Sequence, residues 1–184
     1  MPLHLNSSPE DQSNSPAVII PQDSSYLPGL LRLDSPEATR AVGAVVGAAL
    51  LKEPLAPFLV TLEGPLGAGK TTLCQGLAEA MGAEPGEAVS PTFTLCNEYQ
   101  TKIPLRHIDL YRLGPNAAAE FVGAGLDECL DGLCLVEWPE RMDDSFWPAD
   151  RLELVFQYDG QGRLLRARGP SPLARKIWKL CLSL

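Results

Sequence analysis

One stretch constrains the fold of this chain more than any other: the glycine-rich segment Gly64–Thr71, which reads GPLGAGKT. The apolar run 58–62 precedes it, and a segment typical of a helix follows from Lys70. In a strand, loop and helix of this kind, small residues let successive backbone N–H groups turn inward around a phosphate chain, and the helix N-terminus adds partial positive charge. The sequence therefore predicts a phosphate-binding loop, with Lys70 reaching the β- and γ-phosphates and the Thr71 hydroxyl facing Mg²⁺.

Length and composition indicate one soluble domain. The 184 residues suit a core of about 100–150 residues with tails. We expect a disordered leader over 1–28, rich in Ser, Pro, Asn and acidic residues, and a single domain over 29–184. No apolar run approaches the roughly 20 residues of a membrane span, and no signal-peptide pattern opens the chain, so we expect a cytoplasmic protein without membrane contact.

The net charge of −8 argues against a broad nucleic-acid-binding face, so direct RNA binding is disfavoured. The local exception is a basic C-terminal cluster that we interpret as a solvated face: Arg163, Arg166, Arg168, Arg175, Lys176 and Lys179. The five cysteines form no CxxC pair, which favours reduced thiols in or near the core over disulfides or a zinc site.

The remaining pattern interleaves helices with strands. Ser35 predicts the N-cap of a helix to about Leu51, whose Ala, Val and Gly content fits close packing against a sheet, and Gly82 predicts the end of the helix from Lys70. We expect further strands at 58–63, 93–99, 105–111, 133–136, 152–158 and 163–168, helical segments within 116–131, and a last helix over 172–180. Segments 93–99 and 105–111 suit a hairpin. This order indicates a three-layer α/β P-loop NTPase fold with a largely parallel sheet and antiparallel additions.

Two carboxylates that follow the loop are candidates for the chemistry. Glu137 ends an apolar strand, where it could hold Mg²⁺ opposite Thr71 or simply lie at an exposed strand end. Asp109 lies in a predicted strand whose alternate residues are otherwise apolar, so its carboxylate needs a partner if it is buried. Either a role near Mg²⁺ or an ion pair with Arg106 or Arg112 would supply that partner.

Three further features are weaker signals. His107 has no partner at metal-ligand spacing, which favours a structural role. Trp138 could stack on a base or pack in the core. Segment 90–94 lies where P-loop switch proteins place hydroxyl groups near the γ-phosphate, and the lack of an Asn-Lys-x-Asp segment favours adenine over guanine.

Four motifs together resemble the bacterial TsaE family: Gly64–Thr72, Ser90–Thr94, His107–Arg112 and Leu135–Arg141. Their order and spacing carry the resemblance, which covers about residues 33–158. That family supplies the ATPase of tRNA threonylcarbamoyladenosine synthesis and works with TsaB and TsaD. The resemblance implies an ATP cycle, slow in the chain alone, that resets or regulates this complex, so that tRNA is met only through the complex.

The resemblance also implies roles for individual residues. Lys70 would bind phosphate, Thr71 and Glu137 would hold Mg²⁺, and Asp109 would assist hydrolysis. Trp138 and the Thr39 region would border the adenine of ATP or ADP, and Thr92 and Thr94 would belong to a switch-like segment. The loop residues expected around the nucleotide are Gly64, Pro65, Leu66, Gly67, Ala68, Gly69, Lys70, Thr71 and Thr72. The polar leader and the segment 146–148 depart from the family pattern.

Two other functions stay open at this point. A small-molecule P-loop kinase would usually carry an Arg-rich lid, and segment 114–132 holds no Arg or Lys. A nucleotide-dependent binding switch with negligible hydrolysis is the second alternative. The sequence does not indicate an oligomeric state.

Overall fold

The computed structural model describes residues 24–53, 57–91 and 94–184. Its helices are α1 (Pro36–Leu50), α2 (Lys70–Met81), α3 (Ala117–Gly123) and α4 (Pro172–Cys181). Its strands are β1 (Leu31–Leu33), β2 (Phe58–Glu63), β3 (Cys96–Tyr99), β4 (Leu105–Asp109), β5 (Leu133–Glu137), β6 (Arg151–Asp159) and β7 (Gly162–Arg168). Short 3₁₀ turns occupy Leu126–Asp131, Pro139–Arg141 and Asp144–Phe146. No helix in these ranges is long and apolar enough to cross a membrane.

The strands form one mixed sheet in the order β1-β7-β6-β2-β5-β4-β3. Strands β6, β2, β5 and β4 run parallel, whereas β1, β7 and β3 add antiparallel pairs at the two sides. Helices α1, α2 and α4 pack on one face, and α3 with the turn after it packs on the other. The predicted three-layer α/β fold with a largely parallel sheet is therefore confirmed.

The parallel register brings the carboxyl ends of β2, β4 and β5 to one edge of the sheet. Glu137 is the Cα partner of both Leu62 and Asp109. Because side chains alternate between the two faces of a strand, His107, Asp109 and Glu137 all lie on the face that carries α2. The phosphate loop leaves β2 at this edge and enters α2.

Helix α1 begins as its capping signal predicts, since the Ser35 hydroxyl accepts a hydrogen bond from the N–H of Ala38 at 3.1 Å. The glycines of α1 make their close approach to α2 and not to the sheet. A Cβ at Gly43 would lie 2.1 Å from the carbonyl oxygen of Leu73, and a Cβ at Gly76 would lie 2.1 Å from that of Arg40. Glycine on both helices lets the two backbones touch.

The predicted hairpin exists, but its strands are shorter than the alternation indicated. β4 ends at Asp109 because the Asp109 Oδ1 accepts a hydrogen bond from the N–H of Tyr111 at 2.9 Å, which turns the chain. β3 starts only at Cys96 because Leu95 has a left-handed backbone, with φ of 62°.

The start of the described chain packs against β7. Tyr26 forms an isolated bridge with Arg168, and the N–H of Leu27 donates to Ala167 at 2.7 Å. Tyr26 and Leu27 of the expected leader are thus bonded to the sheet, and the first 23 residues of that leader lie outside the described ranges.

The cysteines are free thiols, and Cys74, Cys134 and Cys181 are buried, as expected. The basic cluster is only partly a solvated face: Arg168 pairs with Glu63 and Glu153, and Lys176 pairs with Glu53 at 2.5 Å.

Candidate functional site

The glycine-rich loop has the conformation that phosphate binding needs. Gly64, Gly67 and Gly69 have φ of 141°, 73° and 103°, which side chains rarely tolerate. A Cβ at Gly64 would also lie 2.8 Å from the carbonyl oxygen of Phe156. The first N–H groups of α2, beginning at Lys70, have no partner within the helix and are available to an anion.

Lys70 is buried at the centre of this loop, with 4% of its surface exposed. Its ammonium donates to the carbonyls of Gly64 at 2.6 Å and Pro65 at 3.0 Å. Burial lowers the pKa of Lys70 below its ordinary value, and the nearby carboxylates of Glu137, Glu140 and Asp109 oppose that shift. The lysine is therefore a positive charge among acidic groups, held by the loop's own backbone.

Two side chains of the β6–β7 hairpin hold the loop from outside. The Tyr158 hydroxyl donates to the carbonyl of Leu66 at 2.6 Å, and the Arg163 guanidinium donates to the carbonyl of Gly67 at 3.3 Å. The Arg163 guanidinium also lies 4.4 Å from the centre of the Tyr158 ring. Sequence analysis did not connect either residue with the loop, because the contacting pairs lie 92 and 96 positions apart in the chain and no local motif links them.

The metal-ligand pair predicted from the sequence is brought together. The Thr71 hydroxyl lies 2.8 Å from Glu137 Oε1 and 3.1 Å from Oε2, and Glu137 is 3% exposed. A hydroxyl and a carboxylate at the start of the phosphate-loop helix are the oxygen ligands that Mg²⁺ prefers. Glu137 is thus not the exposed strand end that was its alternative.

Asp109 lies beside this pair on the neighbouring strand and is 5% exposed. Its Oδ2 accepts a hydrogen bond from the Ser90 hydroxyl at 2.6 Å, which draws the segment after α2 toward the site. Arg106, one of the ion-pair partners considered for Asp109, instead lies 3.5 Å from Glu98. Thr92 lies outside the described residues, and Thr94 is exposed with its hydroxyl 2.9 Å from Asn97.

Trp138 and Thr39 do not share a pocket. Trp138 lines a cavity of about 330 Å³ with the loop, Asp109 and Glu137, whereas Thr39 lines a cavity of about 170 Å³ on the other side of Gly67–Gly69. The Lys70 ammonium lies 3.8 Å from the centre of the Trp138 ring. Thr72 and the loop segment 67–69 line both cavities, so the two cavities adjoin at the loop.

His107 has partners that its sequence spacing conceals. The ring is fully buried, with Nε2 3.0 Å from Glu137 Oε1 and Nδ1 3.1 Å from the Tyr99 hydroxyl. The Cys74 thiol lies 3.9 Å from the same oxygen of Glu137, and burial raises its pKa well above the ordinary value. The only sequence signal was the alternation that places His107 on the same strand face as Asp109.

Known proteins are similar to this chain in sequence and in fold. A family model described as "Threonylcarbamoyl adenosine biosynthesis protein TsaE" matches residues 33–165. The protein named tRNA threonylcarbamoyladenosine biosynthesis protein TsaE from Nostoc sp. is 41% identical over 132 residues, which are 68% of this chain and 76% of the relative. The protein of the same name from Bacillus subtilis is 40% identical over 132 residues, covering 70% of this chain and 77% of the relative. The crystal structure of YdiB from Bacillus subtilis superposes with a TM-score of 0.61 at 28% identity, over 83% of this chain and 93% of that one.

Proposed function

The chain belongs to the TsaE family, and from that premise we propose that it is a Mg²⁺-dependent ATPase of tRNA threonylcarbamoyladenosine biosynthesis. The observation that carries the ATPase proposal is the contact of Thr71 with Glu137 at 2.8 Å, beside Lys70 and at the mouth of the phosphate loop. A bare anion-binding loop needs no buried carboxylate at that position, whereas a nucleotide bound with a cation does.

The two cavities suggest how ATP or ADP lies in the site. The nucleoside occupies the cavity beside Thr39, and the phosphates cross the loop toward Glu137. The N–H groups of the loop and of the first turn of α2 bind the phosphate oxygens. Lys70 exchanges its hydrogen bonds to the carbonyls of Gly64 and Pro65 for hydrogen bonds to phosphate. The positively charged ammonium then faces a full negative charge in place of two backbone dipoles. Trp138 then borders the terminal phosphate rather than the base.

Thr71 and Glu137 fit Mg²⁺ because each presents an oxygen and the two are already in contact. When bound, the ion would neutralise charge that develops on the β- and γ-phosphates. Asp109, oriented by the Ser90 hydroxyl, has a carboxylate in the same cavity, where it orients the attacking water.

The proposed partners are TsaB and TsaD, with the ATP cycle resetting or regulating their complex in the cytoplasm. The net charge of −8 disfavours direct binding of tRNA, and Arg168 and Lys176 of the basic cluster are paired with carboxylates, which supports contact through the complex. The cavity at Glu137 is lined by the groups to which we assign phosphate and metal binding, an arrangement that suits hydrolysis rather than transfer of the carbamoyl group.

The experiment is Mg²⁺-ATP turnover by the purified chain, alone and with cognate TsaB and TsaD, measured as phosphate released per protein. We expect slow turnover alone and marked stimulation by the pair. Equal turnover in both conditions would refute activation by these partners. Phosphate transferred to an added small-molecule acceptor would favour the kinase alternative, and tight binding without phosphate release would favour the binding switch.

A further inference from the structure

The side chain of His107 is enclosed between β3, β5 and α2, with none of its surface exposed. A buried imidazole is stable there only if both ring nitrogens have partners. Nε2 has Glu137 Oε1 at 3.0 Å, and Nδ1 has the Tyr99 hydroxyl at 3.1 Å. Both ring nitrogens therefore have a polar partner, and one partner, Glu137, is the candidate metal ligand.

The contacts continue past Tyr99 to the backbone beside Ser90. The Tyr99 hydroxyl lies 2.9 Å from the carbonyl oxygen of Val89, which also accepts from the Asn97 amide at 3.2 Å. Ser90 follows at once and donates to Asp109. A continuous chain of polar contacts thus joins Glu137 to the backbone at Val89–Ser90, and the Ser90 hydroxyl in turn contacts Asp109.

The contact of His107 is with only one oxygen of Glu137. Nε2 lies 3.0 Å from Oε1, whereas Oε2 lies 3.1 Å from the Thr71 hydroxyl, which is also 2.8 Å from Oε1. A carboxylate fixed through one oxygen has a defined plane, so its other oxygen keeps a fixed direction. Without that contact, Glu137 Oε1 would lose its partner on β4 and keep only those on α2, the Thr71 hydroxyl and the Cys74 thiol.

We infer that His107 is a positioning residue: it fixes the orientation of Glu137 for Mg²⁺ and, through Tyr99, couples that orientation to the backbone at Val89–Ser90. This inference rests on the proposed function, because it assigns the metal to Glu137. It adds a residue that touches neither nucleotide nor metal and that acts through the carboxylate.

Two substitutions of His107 separate its contact with Glu137 from its contact with Tyr99. In His107→Gln the side-chain amide nitrogen can take the place of Nε2 and keep the bond to Glu137, but the contact with Tyr99 is lost. In His107→Asn the shorter amide can take the place of Nδ1 and keep the contact with Tyr99, but the bond to Glu137 is lost. Tyr99→Phe removes one hydroxyl and leaves every ring in place.

The first measurement titrates ADP by calorimetry at a series of Mg²⁺ concentrations. Its result is the Mg²⁺ concentration at which the change in ADP affinity caused by Mg²⁺ is half complete. We expect His107→Asn to raise that concentration about 10- to 100-fold, as loss of an outer partner of a metal ligand typically does, and His107→Gln to remain within about threefold of wild type. The second measurement is amide hydrogen exchange across 87–91 without any ligand. We expect Tyr99→Phe and His107→Gln to speed this exchange about two- to tenfold, and His107→Asn to leave it near wild type.

Equal Mg²⁺ dependence in the Asn and Gln variants, with wild-type exchange in Tyr99→Phe, would overturn the positioning role. A wild-type chain whose ADP affinity ignores Mg²⁺ would instead refute the metal site of the proposed function. If both His107 variants fail to fold, Tyr99→Phe decides: faster exchange with a raised Mg²⁺ requirement supports the coupling, and no change in either refutes it.

Discussion

Alanine at Gly43 should push α1 away from α2 and destabilise the whole domain. The added Cβ would lie 2.1 Å from the carbonyl oxygen of Leu73 and 2.9 Å from the backbone nitrogen of Leu77. Ordinary van der Waals contact begins at about 3.4 Å, so the two helices would have to separate locally by about 1.3 Å. The atoms in the way belong to backbone, which no side-chain rotation can move aside.

The cost can be worked from two opposing effects. Overpacking of a well-packed core costs about 1–3 kcal/mol, and the rigid neighbour puts this site near 3. Replacing glycine by alanine inside a helix returns about 1 kcal/mol of intrinsic helix stability. The net loss is about 2 kcal/mol, which for a chain of this size corresponds to a fall of about 4–8 °C in thermal midpoint.

The assay is thermal unfolding of the purified variant, followed by circular dichroism, with Gly123→Ala as the matched control. Gly123 ends α3, is exposed, and a Cβ there meets nothing within 4 Å. The control should therefore be neutral or gain up to about 1 kcal/mol. A Gly43→Ala midpoint at or above that of wild type would refute the backbone contact between α1 and α2. ADP affinity should also fall, since Leu73 lies one turn after Lys70 in α2.

Four further predictions concern the site. Lys70→Ala should weaken ADP binding at least about 100-fold, because two charge-assisted hydrogen bonds contribute about 3 kcal/mol or more; an unchanged calorimetric titration would remove Lys70 from the site. Glu137→Gln should bind ATP more tightly than wild type in EDTA, through loss of a repelling carboxylate, and less tightly in Mg²⁺; affinity that falls in both media would contradict this. Tyr158→Phe, which frees the Leu66 carbonyl, should lower ADP affinity about two- to tenfold, and wild-type affinity would show that the loop needs no such support. Tryptophan fluorescence should change with ADP but not with adenosine, and a Trp138→Phe variant that kept the full change would assign the signal to another ring.

The parts of the fold that the sequence predicted are those set by local backbone chemistry. Ser35 caps α1, and Gly82 ends α2 with φ of 112°, as their residue types require. The apolar runs of β2 and β5 became central parallel strands because both faces of the sheet are covered. The loop between β2 and α2 followed from its glycines, from Lys70 and Thr71, and from the strand and helix predicted on either side.

The parts that could not be predicted depend on which distant segments meet. The glycines of α1 indicated a close neighbour but not that α2 was that neighbour. Tyr158 and Arg163 support the loop only because β6 pairs with β2, and periodicity carries no information on strand order. The sequence favoured a structural role for His107 and did not predict its contact with Glu137, because Glu137 is 30 residues away and lies beside it only in the folded sheet.

Trp138 shows how a local departure from regular structure directs a side chain to the other face of the sheet. Continued alternation along β5 would turn its ring away from the α2 face, which Glu137 occupies. Instead Trp138 takes a left-handed backbone with φ of 62°, a conformation that costs a non-glycine residue about 1–2 kcal/mol. Its N–H donates to Leu62 at 3.1 Å and its ring contacts the Lys70 ammonium, and these contacts offset the cost. A phosphate that binds Lys70 must approach the ammonium beside the Trp138 ring or displace that ring. The fluorescence of Trp138 should therefore change when a phosphate chain binds, whatever base the nucleotide carries.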